Sequence, residues 1–218
     1  MVIFDCNGVL VDSEPIAMTV LSRALASVGV KVPPQALARR FAGRRPSDIF
    51  YDVERTTGRK LPNDFAEKVA AETLRRLRTE LRPIPYVERA LQWIRGPKAV
   101  ASSSPLERIQ LSLEVTELIG FFCDRLFSAT RVRRGKPAPD LYLLAAQQMR
   151  VRPSDCIVVE DSVPGITAAT AAGMTPVAFV GGSEAAGHLA GELSNAGARA
   201  IIADMRHLHG AITSLRGW

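Results

Sequence analysis

A chain of 218 residues, 47% hydrophobic and 23% charged, suits one α/β domain carrying a smaller insert and has the make-up of a globular protein. The net charge of +6 forms no binding stripe, since Arg75, Arg76, Arg78 and Arg82 spread around one helix, and with 6% aromatic residues no stacking platform for nucleic acid is expected. Apolar runs such as Ala198 to Ala203 are too short to span a membrane, Met1 leads straight into the first strand, and three cysteines without a Cys-x-x-Cys pair fit reduced thiols, so a cytoplasmic protein is expected, monomeric or weakly self-associating.

Val2-Ile3-Phe4 is a short apolar run that reads as a buried strand. After Pro15 the pattern is helical. Ile16 to Val28 ends at Gly29, a second helix opened by Pro33-Pro34 and running through Phe41 is broken by Ala42-Gly43, and Ser47 to Thr57 ends at Gly58. A fourth helix is capped by Asn63 and runs to about Leu81, before Pro83 and Pro85. No strand candidate falls between residues 15 and 83.

From there strands and helices alternate. Helices are expected at Val87–Ile94, Leu106–Val115, Pro139–Met149, Pro164–Ala172, Glu184–Asn195 and Met205–Leu215. Between them strands are expected at Lys98–Ser102, Arg125–Ser128, Cys156–Val159, Thr175–Val180 and Ala200–Ile202. Such alternation implies a doubly wound parallel sheet, a Rossmann-like α/β core covered on both faces. The helical stretch then becomes an inserted cap at 15–83, with 1–14 and 84–218 forming the core. Two chain crossings, near 12–15 and 82–86, would let the cap close over the crevice and exclude water.

Four stretches place reactive groups at strand ends. Asp5-Cys6-Asn7-Gly8 follows the first strand, where open α/β sheets bind ligands, although the same residue types also make an ordinary turn. Ser102-Ser103-Ser104-Pro105 ends a strand and starts a helix, which suits either a phosphate cradle or a helix cap. Gly135-Lys136-Pro137-Ala138-Pro139-Asp140 sets a lysine at a turn stiffened by two prolines, and that lysine is either a fixed ammonium or a surface residue. Glu160-Asp161 closes an apolar strand with adjacent acids that repel each other unless a cation stands beside them. Hard oxygen donors at an open site indicate Mg²⁺, while one acid capping the next helix is the plainer alternative.

The opening stretch, Asp5-Cys6-Asn7-Gly8-Val9-Leu10-Val11-Asp12-Ser13, resembles the signature Asp-x-Asp-Gly-x-Leu-x-Asp-Ser of the haloacid dehalogenase-like phosphatases and departs from it only at Asn7. The serine, lysine and acidic stretches resemble that family's remaining motifs in order and context. The closest subgroup is that of β-phosphoglucomutase and the sugar phosphatases with a helical cap. The resemblance implies Asp5 as nucleophile, with Ser102, Ser103, Lys136 and the amides of Cys6 and Asn7 on the phosphate. It implies Mg²⁺ on Asp5, Asn7 through its carbonyl, Asp161, and Glu160 directly or through water. The cap turn Phe41-Ala42-Gly43-Arg44-Arg45 corresponds to the family's specificity turn, so Gly43, Arg44 and Arg45 become candidate contacts to a small phosphate ester, a sugar or sugar-acid phosphate.

The family's second Asp is its general acid and base. Asn7 can hydrogen-bond there but cannot carry a proton, and such catalysis is typically worth about 10²–10⁴-fold, so the chain is expected to be slowed by that much. An engineered Asp→Asn substitution is the reading that the intact remainder favours; a natural binding protein for phosphorylated metabolites is the alternative. Dehalogenases lack the second Asp but have no use for Glu160 and Asp161. Phosphonatases rely on a cap lysine near Gly43-Arg44-Arg45-Pro46, where none stands. A mutase of this subgroup carries a histidine about where Ala17 lies, and none of His188, His207 and His209 is near. A thiol mechanism at Cys6 lacks a histidine nearby in sequence.

Overall fold

A computed structural model describes residues 1–41, 43–181 and 186–216. Its frame is a six-stranded parallel sheet in the order β3-β2-β1-β4-β5-β6. The strands are β1 (Val2–Phe4), β2 (Lys98–Ser102), β3 (Leu126–Ser128), β4 (Ile157–Glu160), β5 (Thr175–Phe179) and β6 (Ala200–Ile202). The chain winds outward from β1 to β3 and then returns to add β4 on the other side of β1. Strand order therefore reverses beside β1, and the crevice outside the carboxyl ends of β1 and β4 is where such sheets take ligands.

Alternating side chains of each strand serve opposite faces. Val2, Phe4, Val100, Val159 and Val177 join one buried cluster with Ile109 and Phe122. Ile3, Ala99, Ala101 and Val158 join another with Leu141, Tyr142 and Ala168. Helices α5 (Val87–Trp93), α6 (Leu106–Val115), α7 (Asp140–Gln148), α8 (Val163–Ala171), α9 (Ala186–Asn195) and α10 (Leu208–Arg216) complete the covered core. No helix among the described residues is long and apolar enough to cross a membrane.

Between β1 and α5 stand the four cap helices, α1 (Glu14–Ser27), α2 (Pro34–Phe41), α3 (Pro46–Thr57) and α4 (Phe65–Glu80). They bury a cluster of their own, including Met18, Leu21, Leu25, Leu37, Phe41, Ile49 and Phe65. Ile16 and Leu77, at the core-facing ends of α1 and α4, belong instead to the sheet's cluster. Two chain crossings run side by side, with Asp12 N donating to Arg82 O at 3.0 Å and Ile84 N to Leu10 O at 2.9 Å.

Several element ends differ from the sequence expectation. Helix α1 begins at Glu14 because Pro15 occupies its first turn, where a missing N–H costs no hydrogen bond. Helix α3 likewise starts at Pro46. Asp64, rather than Asn63, precedes α4. Met205–His207 forms a 3-10 turn before α10. The expected start of the ninth helix at Glu184, and Ala42 in the expected break after Phe41, lie outside the described residues.

Leu77 is fully buried where α4 meets the core. Leu77→Ala should cost about 2–5 kcal/mol, the usual range for emptying such a site, and lower the denaturant midpoint accordingly.

Candidate active site

Asp5 follows β1 directly, and its N–H donates to Val159 O at 2.9 Å, which places its side chain beside the end of β4. Lys136 reaches the same point from the loop between β3 and α7. Its Nζ donates to Asp5 Oδ1 at 2.6 Å, to Glu160 Oε1 at 2.5 Å and to Ala101 O at 3.3 Å. The ammonium also lies 5.1 Å from the centre of the Tyr142 ring. Lys136 and Glu160 are buried, at 5% and 0% exposure, so this is a structural ion cluster and not a surface lysine.

Both oxygens of Glu160 are committed to the protein. Oε1 also accepts from Tyr142 Oη at 2.9 Å. Oε2 accepts from the amides of Asp161 and Ser162 and from Ser162 Oγ, at 2.9 to 3.0 Å. Burial alone would raise this carboxyl's affinity for a proton, but Lys136 and the surrounding donors outweigh it and hold Glu160 ionised below its ordinary range. Lys136 answers in kind: burial disfavours its charge, yet Asp5 and Glu160 lift it well above its ordinary value.

Asp5 and Asp161 are in the opposite condition. Burial pushes the Asp5 carboxyl up to about 7, against the pull of Lys136. Asp161 is pushed well above its ordinary range by burial and by the charges of Glu160 and Asp5. Among the described residues no hydrogen-bond donor meets the Asp161 carboxylate. That carboxylate lies against Gly8, which has φ +76°, and a Cβ at residue 8 would overlap it. Among the described residues no group of three or more His, Cys, Asp or Glu side chains forms a closed metal cage. Two carboxylates that resist ionisation and line one cavity are donors that a hard cation with retained waters would fit.

The three serines after β2 do three different things. Ser102 is buried and its Oγ accepts from Ser104 N at 3.3 Å. Ser103 Oγ donates to Gly43 O on the cap at 2.8 Å. Ser104 Oγ accepts from Asn7 Nδ2 at 2.9 Å, and Asn7 Oδ1 accepts from Ser13 Oγ at 2.8 Å. Arg108 of α6 reaches Ser13 Oγ at 3.4 Å, while its Nε is buried without a partner.

A cavity between cap and core is lined by Asp5, Asn7, Glu14, Arg44, Arg108 and Asp161, among others. Of the cap residues expected to read substrate, Gly43 (φ +73°) packs against Ser162, and Arg44 lines the cavity with its guanidinium 5.5 Å from the Phe41 ring. Arg45 pairs with Asp48 at 3.1 Å and lies over Gly135, beside the lysine loop. Cys6 is buried and its thiol is pushed up, first by burial and then by the charge of Asp5, which makes a thiolate nucleophile unfavourable. His207 and His209 are exposed, and His209 packs against Trp93 with ring centres 5.6 Å apart.

Sequence reasoning assigned no part to Ser13, Glu14, Ser104, Arg108 or Tyr142. Ser13 and Ser104 stand inside the first and second motif stretches, where their polarity is visible. Tyr142 carried no signal, because an aromatic residue on the buried face of a helix usually only packs.

Comparison with known proteins gives a consistent picture. The pattern of the family haloacid dehalogenase-like hydrolase matches residues 1–173. The chain is 35% identical over 174 residues to 6-phosphogluconate phosphatase of Escherichia coli, covering 79% of each. It is 31% identical over 176 residues to fructose-1-phosphate phosphatase of the same organism, covering 80% of this chain and 93% of that one. The crystal structure of a haloacid dehalogenase-like protein of unknown function from Agrobacterium tumefaciens superposes with a TM-score of 0.83 at 35% identity, covering 99% and 98% of the two chains.

Removing the ammonium would leave two buried acids facing each other. Lys136→Met should therefore cost about 3–5 kcal/mol in chemical denaturation at neutral pH, with a smaller loss at acid pH where Asp5 is protonated.

Proposed function

We propose a reaction for a chain that belongs to the haloacid dehalogenase-like hydrolases: Mg²⁺-dependent hydrolysis of a small phosphate ester through an aspartyl-phosphate at Asp5. The observation that carries this reading is the buried contact of Asp5 with Lys136 and Glu160, set beside an Asp161 carboxylate that no donor among the described residues satisfies. Asp5, the carbonyl of Asn7 and Asp161 would hold the cation. When bound, it neutralises charge on the transferring phosphoryl group. Glu160, with both oxygens taken, fits a role in fixing Lys136 better than a place among the metal ligands.

Asp5 attacks phosphorus in line, and the phosphoryl–oxygen bond to the leaving group breaks. Ser102 and the backbone amides after β1 and β2 would supply donors to the equatorial oxygens, while the Lys136 ammonium, held by Asp5, Glu160 and Ala101 O, would offset their charge from behind. Water then cleaves the aspartyl-phosphate and regenerates Asp5. Ala17 lines the cavity where a mutase of this subgroup is expected to carry histidine, which favours release of phosphate over its return to a sugar. The two named relatives act on a sugar-acid phosphate and a sugar phosphate, so that class is the natural one here, with Arg44 placed to meet an anionic or hydroxylated leaving group.

Asn7 removes the acid and base at its position, and we read the chain as slowed for that reason. Asn7→Asp should raise Mg²⁺-dependent phosphate release from a panel of sugar phosphates by about 10²–10⁴-fold. Continued silence with tight ligand binding would point instead to a binding protein.

The pH dependence has a definite sign. The Asp5 carboxyl is raised from 3.8 to about 7, so between these values the folded chain holds more protons than the unfolded one and metal-free stability falls as pH rises. Mg²⁺ binds the ionised form. Its addition to chelator-treated protein should therefore raise Tm more near pH 8 than near pH 5, and an equal gain at both would count against Asp5 as a ligand.

A further inference from the structure

We infer that Glu14 is a proton carrier for this site, donating to the leaving oxygen and taking a proton from the attacking water in the place Asn7 cannot fill. This deepens the phosphatase reading above and rests on it. Three observations place Glu14. It opens α1, in the residue directly after Ser13, whose hydroxyl holds the Asn7 amide at 2.8 Å. It lines the same cavity between cap and core that Asp5, Asn7 and Asp161 line. Among the described residues its carboxyl has no hydrogen-bond or ion-pair partner, so its proton is free to move.

Several charged groups share its surroundings. Arg108 comes from α6, Asp12 from the chain leading into α1, Asp5 from the end of β1, Asp161 from the end of β4, and Arg44 from the cap turn. Burial raises the Glu14 carboxyl and Asp12 adds to it, while the Arg108 guanidinium opposes the rise. A carboxyl so placed can hold a proton nearer to neutrality than an exposed one, as a general acid requires. Arg108 also has a buried Nε with no partner, so it stands ready to steady the carboxylate once the proton has gone.

The proton balance closes. As Asp5 Oδ bonds to phosphorus and the ester P–O bond breaks, the Glu14 proton passes to the departing alkoxide. In the second half, water bonds to phosphorus, the Asp5–phosphorus bond breaks, and the water's proton returns to Glu14. No other reactant is needed.

The test is a cycle of four full-length proteins with Mg²⁺ and a sugar phosphate: the chain itself, Glu14→Gln, Asn7→Asp, and both changes together. The chain itself should turn over slowly but above a chelated blank, and Glu14→Gln should lower its kcat at least tenfold with KM little changed. The same change on the Asn7→Asp background should cost much less, because Asp at residue 7 then carries the proton. Glu14→Asp should recover part of the loss, and the acid limb of the kcat–pH profile should vanish with Glu14→Gln. With 4-nitrophenyl phosphate, whose phenolate departs unaided, the Glu14→Gln loss in the first turnover should disappear. Equal losses on both backgrounds, or a change confined to KM, would overturn the inference in favour of a binding role. An inert chain beside an active Asn7→Asp protein would overturn it while leaving the phosphatase reading intact. Silence of all four would sink both.

Discussion

An ammonium held between two carboxylates at the dry end of a parallel sheet sets the terms for the rest of this molecule. Lys136 has 5% exposure and meets Asp5 and Glu160 at 2.6 and 2.5 Å. Such a cluster contributes little net stability, because desolvation of the ions offsets their attraction. What it fixes is geometry. Glu160 is locked by Tyr142, Ser162 and two amides, so it can only hold Lys136 in one place, and Lys136 in turn aims one oxygen of Asp5. The remaining Asp5 oxygen and the unpaired Asp161 carboxylate are thereby left on the crevice side.

The cap meets this site through contacts that only small residues permit. Gly43 packs against Ser162 and accepts a hydrogen bond from Ser103, while Arg45 lies over Gly135. The core residues touched, Ser103, Ser162 and Gly135, are each within two residues of a proposed site residue. The cap is thus seated against the residues of the candidate site and not only against a remote surface. An apolar cluster with members from all four cap helices packs them together.

Much of this was legible in the sequence because the core obeys local rules. Short apolar runs ending in Asp5, Ser102 and Glu160 predict three strand ends, and the topology brings them together because all strands are parallel. Lys136 is legible only through the family resemblance of its Gly-Lys-Pro-x-Pro-Asp context, since the residues alone leave a surface lysine open. What stayed hidden depends on tertiary partners. Glu160 and Asp161 look alike in sequence, yet one is saturated with donors and the other meets none among the described residues. Ser102, Ser103 and Ser104 likewise look interchangeable until their separate partners are seen. Arg44 and Arg45 are adjacent, and only the path of the turn decides that one lines the cavity while the other pairs with Asp48.

Residue 7 sits in a setting that fits an amide and a carboxylate alike. The two ends of the Asn7 amide are held by hydroxyls, Ser13 donating to Oδ1 and Ser104 accepting from Nδ2. A hydroxyl both donates and accepts, and it turns to suit its partner. A carboxylate in the same place would need only that the Ser104 proton rotate toward it. The pocket therefore does not distinguish amide from acid by fit, and exchanging one for the other alters the proton inventory of the cavity while its walls stay as they are. On the proposed mechanism, proton carriage falls to whichever carboxyl in the same cavity is uncommitted. There Asp5 is tied to Lys136 and bonds to phosphorus, and Asp161 stands with the cation. Glu14 has neither commitment, and it projects from the helix that the cap brings over the crevice.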